Sequence, residues 1–151
     1  MNRAGLLGFA LSISLLAACG FEPDVGGLLA GQCTGEDSNP DVDISYMDVI
    51  RPMFDRPASE GGCGNSCHSP GGVGVMLSGF DMSSMPALRR GGQASGGKIV
   101  VPGKPCESVL LQKVGPAPAT GARMPLSGPP FFDEDDLQKL SDWIAEGAKE
   151  N

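Results

Sequence analysis

Apolar and polar positions recur with helical spacing in only a few stretches of this chain of 151 residues. The stretch "DISYMDVIRPMFDRP", residues 43–57, has apolar residues at intervals of three and four, which predicts an amphipathic helix. These apolar residues are Tyr46, Val49, Ile50, Met53 and Phe54. Asp43 or Ser45 can cap this helix, and Pro52 is expected to kink or divide it.

The clearest helical pattern is "DEDDLQKLSDWIAEGAK", residues 133–149. Asp133 is the predicted cap, acidic residues fill the first turn, and the apolar residues fall on one face. That face carries Leu137, Leu140, Trp143 and Ile144. Two shorter helices are predicted, one within 83–90 and one opened by Pro105 and ended at Gly115. The rest of 69–132 is predicted to be loop.

The N-terminal residues 1–18 have the pattern of a secretory signal peptide. Arg3 precedes an apolar run from Leu6 to Leu16, which is too short to cross a membrane as a helix in the mature protein. The sequence closing this run, L-A-A-C, resembles the bacterial lipobox. The resemblance implies cleavage before Cys19, acylation of its thiol, and anchoring in the lipid bilayer. Ordinary signal cleavage, with Cys19 a free or paired thiol, is the alternative.

Composition limits both the fold and the partners. The chain has 18 acidic and 11 basic side chains, so it is a poor nucleic-acid binder. The 23 glycines and 13 prolines favour loops, and the 5% aromatic content leaves little material for a core. Such a domain usually needs cross-links or a cofactor. Residues 19–42 are acidic and lack periodicity, which predicts a flexible tether before a single domain at 43–151.

Reactive and metal-binding side chains cluster in "GGCGNSCHSPG", residues 61–71, which contains Cys63, Cys67 and the only histidine, His68. Haem-attachment sites follow the pattern C-x-x-C-H. Here three residues separate the cysteines. On a helical turn, residues four apart still share a face, so both thiols can reach one edge of a porphyrin.

Other uses of the two cysteines stay open. Cys63 and Cys67 could form a disulfide with each other, or with Cys33 and Cys106. Zinc is a weaker alternative, because a second clustered ligand pair is missing from the sequence. A catalytic dithiol is weaker still, since it normally has two intervening residues.

One histidine cannot supply both axial ligands of a haem iron, so a six-coordinate iron needs methionine or another ligand. Met76, Met82 and Met85 follow soon after His68. Met124 is the predicted ligand, because it lies in the proline-rich stretch "GPAPATGARMPLSGPPFF", directly before Pro125 and shortly before the last helix.

Several of these segments resemble small bacterial cytochrome c domains found in exported lipoproteins. The resemblance is carried by "DVIRPMFDR...CGNSCH", "VPGKPCESVLLQKV", "RMP" and "LQKLSDWIAEGA", within residues 43–148. It implies an all-α, cytochrome c-like domain with long loops wrapped around one haem. It further implies thioether bonds at Cys63 and Cys67, with His68 and Met124 as iron ligands.

The resemblance implies a carrier of single electrons with one covalent haem c, not an enzyme. Such a carrier would exchange electrons with other periplasmic redox proteins while anchored to the membrane, the outer membrane being weakly favoured. If lipid takes Cys19 and haem takes Cys63 and Cys67, Cys33 and Cys106 are left as a candidate disulfide. The alternative is a haem-free lipoprotein, stapled by disulfides, that serves as a structural or interaction module.

Overall fold

The computed structural model describes Cys33 and residues 35–65, 67–118 and 120–151. The predicted signal peptide and the predicted lipid anchor at Cys19 lie outside the described residues. Within them the regular structure is helical, with no β-strand. The all-α prediction is therefore confirmed for this part of the chain.

Five α-helices occur in the described part of the chain: α1 (Arg51–Asp55), α2 (Val73–Ser78), α3 (Met85–Arg90), α4 (Val109–Val114) and α5 (Glu134–Ala145). A π-helix, Tyr46–Ile50, runs directly into α1. Turns of 3-10 helix lie at Ala58–Glu60, Gly96–Lys98 and Pro105–Glu107. None of the described helices is long and apolar enough to cross a membrane.

The first predicted helix forms, and it is divided as expected. Ser45 is its cap, because its side-chain oxygen accepts a hydrogen bond from the backbone N–H of Asp48 at 3.1 Å. Pro52 lies in the first turn of α1, the part of a helix where proline is best tolerated. The proline thus marks the change from π-helix to α-helix.

The C-terminal helix packs against the first helical segment. Trp143 of α5 is fully buried and stacks on Tyr46, with ring centroids 5.5 Å apart. The indole N–H of Trp143 donates to the carbonyl of Lys149 at 2.9 Å, so burial leaves this donor satisfied. Asp133 caps α5 through the N–H of Asp136, as predicted. The two ends of the domain therefore share one core.

The segment before the domain is attached to it at several points. Cys33 forms a disulfide with Cys106, which precedes α4. Both the N–H and the hydroxyl of Ser38 donate to the carboxylate of Asp142 on α5, at 2.9 Å and 2.6 Å. Within the described residues, the stretch predicted as tether is thus held against the domain, and residues 19–32 lie outside them.

The prediction of loop over 69–82 is wrong, because α2 lies there. Its sequence, "VGVMLS", is apolar without helical periodicity, and none of its residues is buried. The start of the helix is bonded to the preceding cysteine segment. The N–H groups of Gly74 and Val75 both donate to the carbonyl of Cys67, at 2.8 Å and 3.3 Å. Local hydrogen bonds, and not a buried apolar face, account for α2.

Candidate functional site

The cysteine segment is anchored to the end of α1. The N–H groups of Cys63 and Gly64 both donate to the carbonyl of Phe54, at 3.0 Å and 2.8 Å. Phe54 lies in the last turn of α1, where backbone carbonyls lack partners within the helix. These hydrogen bonds cap the end of α1 and fix the position of Cys63 relative to it.

Cys63 and Cys67 lie outside the helices of the described residues. The N–H of His68 donates to the carbonyl of Cys63 at 3.0 Å, which closes a wider turn between them. The described residues of 61–71 are turn, bend or irregular, because its glycines and its one proline do not favour helix. The spacing of the sulfurs is therefore set by a turn and by the anchoring to α1.

The thiol of Cys63 is buried, with 4% of the residue exposed, and takes no part in a disulfide. Burial raises the pKa of Cys63 to about 12, and charge on Cys67 and Asp55 adds to the effect. At neutral pH the group is an uncharged thiol. A reactive cysteine needs the thiolate, so Cys63 has the wrong environment for a redox-active dithiol.

His68 is oriented by a backbone carbonyl. Its Nδ1 lies 3.0 Å from the carbonyl oxygen of Phe80. A carbonyl only accepts, so Nδ1 must carry the proton, and the lone pair of the neutral ring is then on Nε2. The ring also contacts the Phe80 ring, with centroids 5.1 Å apart. This arrangement prepares Nε2 for binding a metal ion.

Gly74 leaves the space that the imidazole ring occupies. A Cβ built on Gly74 would lie 2.7 Å from Cε1 and 2.8 Å from Nδ1 of His68. It would also lie 2.7 Å from the carbonyl oxygen of Cys67, a backbone atom that cannot move away easily. The close approach of α2 to His68 therefore depends on glycine at this position.

Gly74→Ala is expected to destabilise the fold by about 1–3 kcal/mol, the usual cost of overpacking. In an open helix the same change would be stabilising, because alanine is the better helix former. Gly97→Ala is the matched control, since a Cβ there would have no heavy atom within 4 Å. Urea unfolding measures the change in stability. The NMR signal of the Nδ1 proton of His68 reports the change at the imidazole ring. Equal midpoints for the two variants would contradict the proposed contact.

The segment 120–124, called here the Met124 segment, returns to the end of α4. The N–H of Met124 donates to the carbonyl of Lys113 at 2.8 Å. The Nε of Arg123 donates to the carbonyl of Val114 at 2.9 Å. Both carbonyls belong to the last turn of α4, where helical partners are missing. The chain thereby places Met124 beside α4.

Cys63, His68 and Met124 line one cavity of about 590 Å³. That volume is within the range of about 300–1,000 Å³ for sites of small molecules and cofactors. The wall is largely apolar and includes Phe80, Met82, Ile99, Leu110 and Val114. Three of the four predicted haem residues are therefore brought together, although Met124 is 56 positions beyond His68 in the sequence.

Cys67 is half-buried and is not among the residues that line the cavity. Its carbonyl accepts the two hydrogen bonds from α2, so its backbone helps to position that helix. A role for its thiol at the site remains a prediction from the sequence.

The sequence did not single out Met82 or Lys113 as site residues. Met82 is 3% exposed and lies on the wall, and its N–H donates to the carbonyl of His68 at 2.7 Å. Its position shortly after His68 was the only signal in the sequence. Lys113 also lines the cavity. Nothing in the sequence indicated that this charged side chain would lie beside an apolar cavity.

A zinc site gains no support from the described residues, which contain no group of three or more His, Cys, Asp or Glu side chains able to hold a metal ion. The pairing of Cys33 with Cys106 also differs from the alternative in which they pair with Cys63 and Cys67. Among the described residues, the cavity is therefore the strongest candidate for a functional site.

Comparison with known proteins does not assign the chain to a family. No family model, curated protein or solved structure matches it. The function proposed below is argued from the cavity, from the side chains around it and from the sequence.

Proposed function

We propose that this chain is a monohaem c-type cytochrome that carries single electrons. The observation that carries the proposal is the meeting of Cys63, His68 and Met124 at one apolar cavity. A thiol, an imidazole and a thioether are the groups that a covalently attached, six-coordinate haem requires. The overall fold proposed is cytochrome c-like, and the packing of α5 on the first helical segment through Tyr46 and Trp143 supports it.

The residues around the cavity fit haem in three respects. The wall is mostly apolar, as a porphyrin face requires, and its volume is that of a cofactor site. The hydrogen bond from Nδ1 to Phe80 leaves Nε2 of His68 as the metal-binding nitrogen. Met124 supplies a soft neutral sulfur, which favours reduced iron.

In this proposal His68 and Met124 are the iron ligands, and Cys63 and Cys67 form the thioether bonds. Haem bound there would supply a one-electron couple between ferric and ferrous iron. The carbonyl of Phe80 accepts from Nδ1 of His68 and fixes the orientation of its ring. The apolar wall keeps water away, and both effects help to set the reduction potential. If His68 and Met124 both held the iron, no position would be left open for a substrate, so the expected role is a carrier and not an enzyme.

The cellular setting is proposed from the sequence alone. Cleavage before Cys19, its acylation and a location on the periplasmic side of a bacterial membrane would place the domain among periplasmic redox proteins. Other such proteins are the expected partners, and the net charge of -7 disfavours nucleic acid.

The test is to express the full chain in bacteria with a c-type cytochrome maturation system. Addition of both thiols across the two vinyl groups loses no atoms, so the mass should rise by that of one haem. The haem should survive denaturation, and one proteolytic peptide should carry it on both Cys63 and Cys67. Variants His68→Ala and Cys63→Ala should lose the haem or hold it weakly. Folded protein with the mass of the lipidated chain and no visible absorption would favour the haem-free module instead.

A further inference from the structure

Lys113 is joined to the Met124 segment by hydrogen bonds from both its side chain and its backbone. Its ammonium donates to the carbonyl of Thr120 at 2.9 Å and to that of Ala122 at 2.6 Å. Its own carbonyl accepts the N–H of Met124 at 2.8 Å. One residue thus makes three hydrogen bonds with a segment of five residues.

The chain conformation between the two acceptors suits this arrangement. Gly121 lies between Thr120 and Ala122 with φ at +62°, a left-handed conformation that glycine adopts without strain. A Cβ at this position would lie 3.4 Å from Nζ of Lys113. The turn at Gly121 therefore brings two carbonyls to one ammonium and leaves room for it.

The ammonium of Lys113 makes these hydrogen bonds at the rim of the cavity. Lys113 is half-buried and lines the cavity, whereas Thr120 and Ala122 are exposed. Hydrogen bonds that involve a charged donor are about twice as strong as neutral ones. Removing the ammonium would leave two carbonyls to find water. It would weaken the attachment of the Met124 segment to α4, which would then depend on the hydrogen bonds from the Met124 N–H and from Arg123.

We propose that Lys113 is a positioning residue that holds Met124 at the cavity and so controls access of external ligands to the iron. The inference rests on the proposed function, because Met124 has a ligand role only when haem is bound. Lys113 itself does not touch the iron in this proposal. It acts through the Met124 segment, whose opening would expose the axial position that Met124 occupies.

The test compares Lys113→Gln with Lys113→Arg and Lys104→Gln in the full haem protein. Glutamine is too short to reach both carbonyls and carries no charge, whereas arginine keeps long, charged donors. Lys104, which pairs with Glu107 and does not line the cavity, controls for the loss of one charge. Imidazole is the probe, and its association rate with ferric haem is measured by stopped-flow absorbance.

Lys113→Gln is expected to speed imidazole association by roughly tenfold, the effect of losing about one charged hydrogen bond net. Lys113→Arg should recover most of the wild-type rate, and Lys104→Gln should match it. Gly121→Ala offers a second variant, which keeps the ammonium but strains the turn, and it should also speed association. Wild-type rates in both Lys113→Gln and Gly121→Ala would overturn the proposal.

Hydrogen exchange at the Met124 amide gives a readout that does not require haem. This amide is protected by the carbonyl of Lys113, and Lys113→Gln should increase its exchange rate as the segment opens. Faster exchange in a protein that takes up no haem would mean that the proposed function fails while the role of Lys113 in holding the segment stands. Unchanged exchange would overturn that role as well.

Discussion

In the proposed haem protein, replacing Met124 by alanine is expected to lower the reduction potential by on the order of 100 mV, because axial ligands set haem potentials over about 0.8 V. A thioether favours ferrous iron, and without it water or hydroxide can take the axial position. Potentiometric titration followed by visible absorbance measures the change. The absorption band that arises from the bond between methionine sulfur and ferric iron should also disappear.

Met82→Leu is the control for this prediction. Met82 lines the same cavity, and leucine keeps nearly the same volume without a sulfur ligand. If Met124 is the ligand, Met82→Leu should keep both the potential and the sulfur band close to those of the wild type. Loss of the band in Met82→Leu, with retention in Met124→Ala, would show that the axial ligand had been assigned to the wrong methionine.

Removing the disulfide, by replacing both Cys33 and Cys106 with alanine, is expected to lower the free energy of unfolding by about 2–5 kcal/mol. The two cysteines are 73 positions apart, so the cross-link closes a long loop and restricts the unfolded chain strongly. The effect should be a lower midpoint in guanidinium chloride, measured by far-ultraviolet circular dichroism on the haem protein.

Ser38→Ala separates the cross-link from the other contacts of the same segment. It removes the hydroxyl that donates to Asp142, a residue only 5% exposed, but keeps the disulfide. A loss of about 1.5–3 kcal/mol is expected, as for one hydrogen bond to a charged group. If the double cysteine variant unfolded at the midpoint of Ser38→Ala, the disulfide would contribute little beyond docking residues 35–44.

The parts of the fold with strong local signals could be predicted from the sequence. Asp133 and the apolar face that includes Trp143 located α5, and Pro105 with Gly115 located the helical region around α4. Helix α2 could not be found in this way. Its sequence lacks a periodic apolar face, and it is held by the carbonyl of Cys67, whose direction depends on a turn that residue types do not specify.

The candidate site was predictable where side-chain chemistry is rare in the chain. His68 is the only histidine, and Met124 stood out because of the prolines around it. The groups that orient these side chains were not predictable. The acceptor for His68 is a backbone carbonyl, that of Phe80, which every residue type could supply. The contact of Lys113 with the Met124 segment likewise depends on the path of a loop between helices.

The segments that carry Cys63 and Met124 share a mode of attachment, since each caps the C-terminal end of a helix. Cys63 donates to the carbonyl of Phe54 in α1, and Met124 donates to the carbonyl of Lys113 in α4. In the proposed carrier, both sides of the iron would then be fixed to helices that pack in one core. The bond lengths and angles at the metal could change little when an electron arrives, so the reorganisation energy would be small. A small reorganisation energy allows rapid electron exchange even when the difference in potential between partners is slight.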